Sequence, residues 1–250
     1  EHYYHFGGKS PINEHNRKMI ADLQALLAAQ GPALPVYWGN RNWHPFLADT
    51  LEQLSRDGVT RAFTFVTSAF GSYSGCRRYL EDLDQAVAAV REKLGDKLPQ
   101  IVKLRLYWNH PGFIEPMIDR VRAAFEQIPV ARRAAAAMTF TAHSVPMSMA
   151  ASSPYVAQLK EACQIVCDAL GIAKWELVYQ SRSGPPTQPW LEPDILDHLK
   201  ALKTAGVSDV VVAPIGFVSD HMEVLYDLDT EARQFCGEIG LNMEIGRAHV

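Results

Sequence analysis

The sequence predicts an α/β protein whose parallel sheets are covered on both faces. Short β-branched or aromatic runs alternate with longer amphipathic stretches along most of the chain, which is the pattern of repeated strand–helix units. The later runs are apolar at nearly every position, as in DVVVAPIGF (209–217). A strand with one face in water would instead alternate polar and apolar residues. Glycines also stand where helical stretches must stop, at Gly58, Gly171 and Gly206.

Taken in order, ALPVYWG (33–39) reads as a strand and 45–57 as a helix ending at Gly58. TRAFTFVTSAF (60–70) is the next strand, followed by a helix over about 76–94. IVKLRLYW (101–108) is a strand, and 112–128 is helical in period despite Pro116 near its start. AAMTFTAH (136–143), WELVYQS (175–181) and DVVVAPIGF (209–217) are strands, each followed by a helix, over 154–170, 191–206 and 220–236. The units divide into two doubly wound, Rossmann-like halves with a cleft between them. The N-terminal half is expected over 1–130 and the C-terminal half over 131–250, with 99–135 linking or straddling them. No internal repeat supports the division, which rests on element count.

Composition bounds the function. With 48% hydrophobic and 21% charged residues the chain is too apolar for disorder. A net charge of −4 supplies no basic field for nucleic acid. No apolar run approaches the roughly 20 residues of a membrane span, and no secretory signal is present, so a cytoplasmic protein is expected. Cys76, Cys163, Cys167 and Cys236 form no CxxC and no zinc-finger spacing, and read as small buried hydrophobes.

In doubly wound sheets, ligands lie beyond the carboxyl ends of the strands, and the residues there narrow the chemistry. His143 follows the fourth strand in TAHSVP (141–146). After the sixth come Glu223, Asp227 and Glu231, at i, i+4 and i+8 on one helical stripe. After the fifth comes QSRSGPPTQPWLEP (180–193), a Gly/Pro loop carrying Trp190. Aromatics crowd other strand ends, among them Tyr37, Trp38, Trp43, Phe70 and Tyr107. Singly, each signal is more often structural: a satisfied histidine, a solvated acidic face, a core tryptophan. GGKSPIN (7–13) resembles an anion-cradling loop but lacks P-loop spacing, and neither GxGxxG nor GxSxG occurs. Together, an imidazole and a carboxylate at neighbouring strand ends suit a divalent first-row metal held transiently, because two ligands are too few for a permanent zinc site. A large, flat, apolar substrate supplying the remaining ligands fits that combination.

FTAHSVPMSM (140–149), YQSRSGPPTQPWLEPDI (179–195) and VVVAPIGFVSDHMEVLYDLDTEA (210–232) resemble the signature segments of ferrochelatases, lyases that insert Fe(II) into a porphyrin in haem biosynthesis. HYYHFGGKSPIN (2–13) and VYWGNRNWHPF (36–46) resemble earlier motifs of that family, and TSAFGSYSGCRRY (67–79) its actinobacterial members. The resemblance covers essentially the whole chain. It implies a chelatase-like fold and coproporphyrin III as the porphyrin. It also implies His143 and Glu223 as catalytic groups facing the metal, and Asp227 and Glu231 as an acidic ladder on a helix with a widened π-type stretch. Trp190 is implied as a wall of the porphyrin cleft, with Arg41, Ser144 and Tyr37 as further substrate contacts. Phe70 stands where some members carry a cleft histidine. Ferrous iron is then substrate, no resident cofactor is expected, and these cysteines do not establish an iron–sulfur cluster. A monomer is expected.

Two departures are visible. Members of the family begin with a further strand and a lip ahead of HYYHFGG, and continue past GRAHV with a last helix, so this chain is expected to be truncated at both ends. The alternatives are a protoporphyrin IX ferrochelatase, a cobalt-inserting chelatase of the same architecture, and a non-catalytic tetrapyrrole carrier. A carrier needs an aromatic cleft but gains nothing from an acidic ladder.

Overall fold

The computed structural model describes residues 11–248 except Pro186, without the side chains of Ser74 and Cys76. The motif at 2–13 therefore lies, up to Ser10, outside the described residues. The chain forms two compact units, one of residues 12–67 and 73–105, the other including 68–72 and 106–248.

The first unit contains α1 (Ile12–Gln30), α2 (Leu47–Arg56), β1 (Arg61–Thr64), a π-helical turn (Tyr73–Arg77), α3 (Arg78–Leu94) and β2 (Gln100–Lys103). β1 and β2 pair in parallel from Arg61↔Gln100 to Thr64↔Lys103. Leu51 and Leu54 of α2 pack with Ala86 and Val90 of α3, over Ala62 and Ile101 of the strands. The start of α2 is fixed by the Asp49 carboxylate, which accepts the Phe46 N–H at 3.3 Å. The strand expected over 33–39 does not form. Pro35 deprives that run of an amide donor, and Pro32 stands directly ahead of it, so a ladder is not readily built there. The strands expected over 60–70 and 101–108 shorten to four residues each, since residues 68–72 and 106–108 belong to the other unit.

In the second unit β3 (Ala137–His143), β4 (Glu176–Gln180), β5 (Asp209–Ala213) and β6 (Asn242–Ile245) form one parallel sheet in the order β4-β3-β5-β6. Their side chains alternate between two cores. Met138, Phe140, Ala142, Leu177, Tyr179, Val211 and Ala213 face one side. There they meet α4 (Pro111–Gln127) and α7 (Tyr155–Leu170) through Met117, Val121, Leu159 and Cys163. The short α5 (Val130–Arg133) precedes β3, and α6 (Met147–Ala151) lies between β3 and α7. Val178, Val210 and Val212 face the other side. That side is covered by α8 (Ile195–Thr204), α9 (Met222–Val224), a π-helix (Leu225–Ala232) and α10 (Arg233–Ile239). Both faces being dry explains why these strands read as continuous apolar runs.

The division expected at residue 130 falls instead between 105 and 106. The reason is α4, which buries Phe113, Ile114, Met117, Val121 and Ala124 in the same core as β3 and β5. The helix expected from 191 starts at Ile195, where Asp194 caps it by accepting the Leu196 N–H at 2.8 Å. The strand expected to 217 stops at Ala213, because Pro214 has no N–H to offer. The outer edge of β4 is covered by its own chain: the Tyr179 N–H donates to the Pro193 carbonyl at 2.9 Å, and Tyr179 bridges to Asp194.

One polar pair crosses the second core. Thr139 of β3 is fully buried, and its hydroxyl lies 3.0 Å from Nε2 of His198 on α8. Burial holds the His198 pKa below its ordinary 6.5, with nearby Glu176 opposing. A folded-state value below the unfolded one means that the unfolded chain takes up the proton first as pH falls. This contribution to stability is full above about pH 6.5 and is lost progressively below it. Replacing His198→Gln, which cannot titrate, is expected to shrink the loss of denaturant stability between about pH 7.5 and about pH 5.5; an unchanged loss would contradict this.

Candidate metal-insertion site

The chain leaves β3 toward β4 on one side and leaves β5 toward β6 on the other, while β3 and β5 lie next to each other. That divergence makes the crevice at their carboxyl ends the switch point of the sheet. His143 is the last residue of β3. The segment after β5, 214–221, lies against it: the Gly216 N–H donates to the Thr141 carbonyl at 3.1 Å. A Cβ on Gly216 would stand 2.6 Å from the Ala142 Cβ and 2.7 Å from its Cα. Only a glycine lets the two backbones approach this closely.

His143 shares the strand face of Thr139 and Thr141, the side covered by α8 and the π-helix. Its Nδ1 is hydrogen-bonded to the Ser144 carbonyl. A carbonyl only accepts, so the proton sits on Nδ1 and the Nε2 lone pair is left for other work. Nε2 stands 3.7 Å from Oε2 of Glu223, with the two side chains 34% and 47% exposed. That separation is beyond a hydrogen bond. The two groups converge on one point without being spent on each other. From the other side, the Tyr155 hydroxyl donates to the His143 carbonyl at 3.1 Å and fixes the strand end.

Glu223 is presented by the first turn of α9, whose N-cap is His221: Nδ1 of that ring accepts the Glu223 N–H at 3.2 Å. The ring packs edge-on against Phe217, with centroids 5.3 Å apart. Burial lowers the His221 pKa and the neighbouring His143 adds to this, whereas Glu223, Asp220 and Asp227 oppose it. His143, Glu223 and Asp227 therefore share one electrostatic neighbourhood. One turn on, Asp227 is buried and accepts from Nε2 of Gln180 at 3.2 Å and from the Ser181 hydroxyl. Glu231 follows, exposed, within the π-helix. The widened stretch expected of this helix is present at Leu225–Ala232. Arg247 grips it with a bidentate pair to Asp229.

Trp190 sits in a loop pinned to the exit of β3. Leu191 N–H donates to the Val145 carbonyl and Met147 N–H to the Pro189 carbonyl, both at 3.0 Å. Gly184 lies so close to the indole that a Cβ there would stand 2.3 Å from its Nε1. A groove of about 750 Å³ beside this loop is lined by Met147, Lys160, Trp175, Tyr179 and Trp190, and contains neither His143 nor Glu223.

Three other expected substrate contacts have partners of their own. Ser144 is buried and its hydroxyl donates to the Leu191 carbonyl at 2.9 Å, so it ties the Trp190 loop down. Tyr37 donates to Asp57 at 2.9 Å, and Arg41 pairs with Asp82 and stacks on Tyr79; all lie in the first unit. Phe70 is buried, packed edge-on against Phe113 and Tyr155. Cys163, Cys167 and Cys236 are free and buried, and burial pushes the Cys167 thiol up to about 12 and that of Cys236 to about 11. Among the described residues, no three His, Cys, Asp or Glu side chains group in a way that could hold a metal ion. His221, Gln180 and Ser181 were not singled out from sequence, although all three lie in the strand-end segments where ligands are sought.

The family model for ferrochelatase matches residues 1–248. The chain belongs to the ferrochelatase family. A ferrochelatase from Rhodopirellula baltica is 54% identical over 244 residues, covering 97% of this chain and 68% of that protein. A coproporphyrin III ferrochelatase from Nocardia farcinica is 51% identical over 249 residues, covering 96% and 70%. One from Streptomyces griseus is 52% identical over 256 residues, covering 96% and 68%. A crystal structure of a sirohydrochlorin chelatase from Bacillus subtilis subspecies spizizenii, in complex with cobalt, superposes with a TM-score of 0.59 at 11% identity. It covers 92% of this chain and 80% of that one, so the ferrochelatase chain has the chelatase-like fold. Among the described residues no helix is long and apolar enough to cross a membrane.

The close approach at Gly216 yields a direct test. Gly216→Ala forces the segment leading to His221 and Glu223 away from β3. It is expected to lower stability by about 1–3 kcal/mol, the usual scale of overpacking, and to depress metal insertion. A variant with wild-type melting temperature and turnover would show that the contact does not position the site.

Proposed function

We propose that this ferrochelatase inserts Fe(II) into coproporphyrin III, with His143 and Glu223 flanking the point of insertion. The observation that carries the assignment is the pair itself, 3.7 Å apart, partly exposed and without a hydrogen bond between the two groups. Inserting a metal into a free-base porphyrin removes two inner N–H protons and brings an ion to nitrogen lone pairs that a planar ring hides. A base with a committed tautomer and a carboxylate beside it suit those two tasks. His143, holding its proton on Nδ1, accepts a pyrrole proton or binds iron through Nε2. Glu223 takes the complementary role. Asp227 and Glu231, one and two turns further along the helix, pass hydrated iron inward or protons outward.

The macrocycle is held bent by the apolar walls, Trp190 among them, so that its nitrogens tip toward one face. Strain of about 1–5 kcal/mol, drawn from binding the ring and its carboxylates, is the relevant scale. Iron is a passing substrate, and no resident cofactor enters the reading. Coproporphyrin is preferred over protoporphyrin IX because several of the half-identical relatives carry coproporphyrin III in their names. Arg41, Ser144 and Tyr37 are retained as weaker substrate contacts, which would have to exchange their present partners. The protein is read as a cytoplasmic monomer.

The test is anaerobic insertion of Fe(II) or Zn(II), followed by the porphyrin's optical change, with coproporphyrin III and protoporphyrin IX side by side. His143→Ala is expected to abolish insertion and to leave porphyrin binding, followed by fluorescence quenching, largely intact. Normal turnover in that variant would remove His143 from the chemistry. Binding of either porphyrin without metallation by the wild type would favour a carrier, and preference for protoporphyrin IX would overturn the substrate assignment.

A further inference from the structure

Among the described residues Ser181 is the one non-glycine residue with a positive φ, +62°. A serine in the left-handed region is disfavoured, and a glycine there would be relaxed. What serine adds over glycine at this point is a hydroxyl, and the hydroxyl is donated to Oδ2 of Asp227. The preceding residue, Gln180, is the last of β4, is almost wholly buried, and donates its Nε2 to the same oxygen. Two consecutive residues at one strand end thus hold one carboxylate oxygen, on the turn of the helix that follows Glu223.

We propose that Ser181 is a positioning residue for metal insertion: its left-handed backbone aims the hydroxyl that, with Gln180, fixes the Asp227 carboxylate in place for the incoming iron. A disfavoured backbone kept at a strand end, with its side chain on a group of the candidate site, is where strain tends to accompany function. A carboxylate held in one rotamer meets a cation without first having to reorganise. Gln180 faces the same side of the sheet as His143, its partner in the β3–β4 register, so the clamp and the imidazole are mounted on adjacent strands. The inference rests on the reading of Asp227 as part of the iron path.

The experiment separates the two. Ser181→Gly removes the hydroxyl and relieves the backbone, so it is expected to melt no lower than the wild type. In anaerobic Fe(II) insertion into coproporphyrin III, its KM for iron is expected to rise about tenfold, the scale of one hydrogen bond to a charged group. Its KM for the porphyrin is expected to change by less than about twofold on the same argument. Asp227→Ala should raise the iron KM by at least as much, and adding Ser181→Gly to it should have no further effect. An unchanged iron KM in Ser181→Gly, with Asp227→Ala impaired, would overturn the clamp and leave the iron path standing. An unchanged iron KM in Asp227→Ala would overturn the reading beneath it. A further loss in the double variant would show that Ser181 acts on something other than Asp227.

Discussion

Because β3 and β5 pair in parallel from Ala137↔Val210 to Phe140↔Ala213, both strands deliver their carboxyl ends to one edge of the sheet. Everything that follows at the site depends on that pairing. His143 arrives on one strand end and the 214–223 segment on the other, and Gly216 lets them lie against each other. Antiparallel pairing would have put the same two segments at opposite ends. The valines at 210, 211 and 212 are all completely buried, two facing one helical layer and one the other. The hydrophobic effect that buries them therefore also fixes where the imidazole and the carboxylate meet.

Around that meeting point, polar groups divide into those that hold and those that are held ready. The Ser144, Tyr155 and Ser181 hydroxyls and the Gln180 amide are committed to protein partners. So is Nδ1 of His143. Nε2 of His143 and the Glu223 carboxylate stand partly in water at a distance where neither satisfies the other. An ion pair of that exposure contributes little to folding, so the arrangement is better understood through chemistry than through stability.

The central strands were legible because both their faces are dry, which leaves long apolar runs. β6 was not, since NMEI (242–245) is short, carries Asn and Glu, and shows no periodicity. The run at 33–39 misled in the opposite way: its composition is strand-like, but Pro35 interrupts its amides and Pro32 stands just ahead of it. At the site, His143, Glu223 and Asp227 could be found by asking what lies beyond strand ends. Gln180, Ser181 and His221 were harder, because they act through one backbone angle, one cap and one amide, none of which has a periodic signature. Ser144, a substrate contact by family resemblance, is buried with its hydroxyl on the Leu191 carbonyl, a tie to the Trp190 loop that no sequence pattern announces.

The segment from Trp190 to Asp194 does two jobs with one backbone. Its tryptophan is pinned beside the exit of β3, and three residues later the Pro193 carbonyl caps the Tyr179 amide on the sheet's open edge. An uncovered edge strand is a template for pairing with other chains. Loosening this loop would therefore also unmask that edge, so a change in its shape carries a risk of aggregation along with any change at the tryptophan. Variation in pocket shape is more freely available on elements that carry no such guard duty.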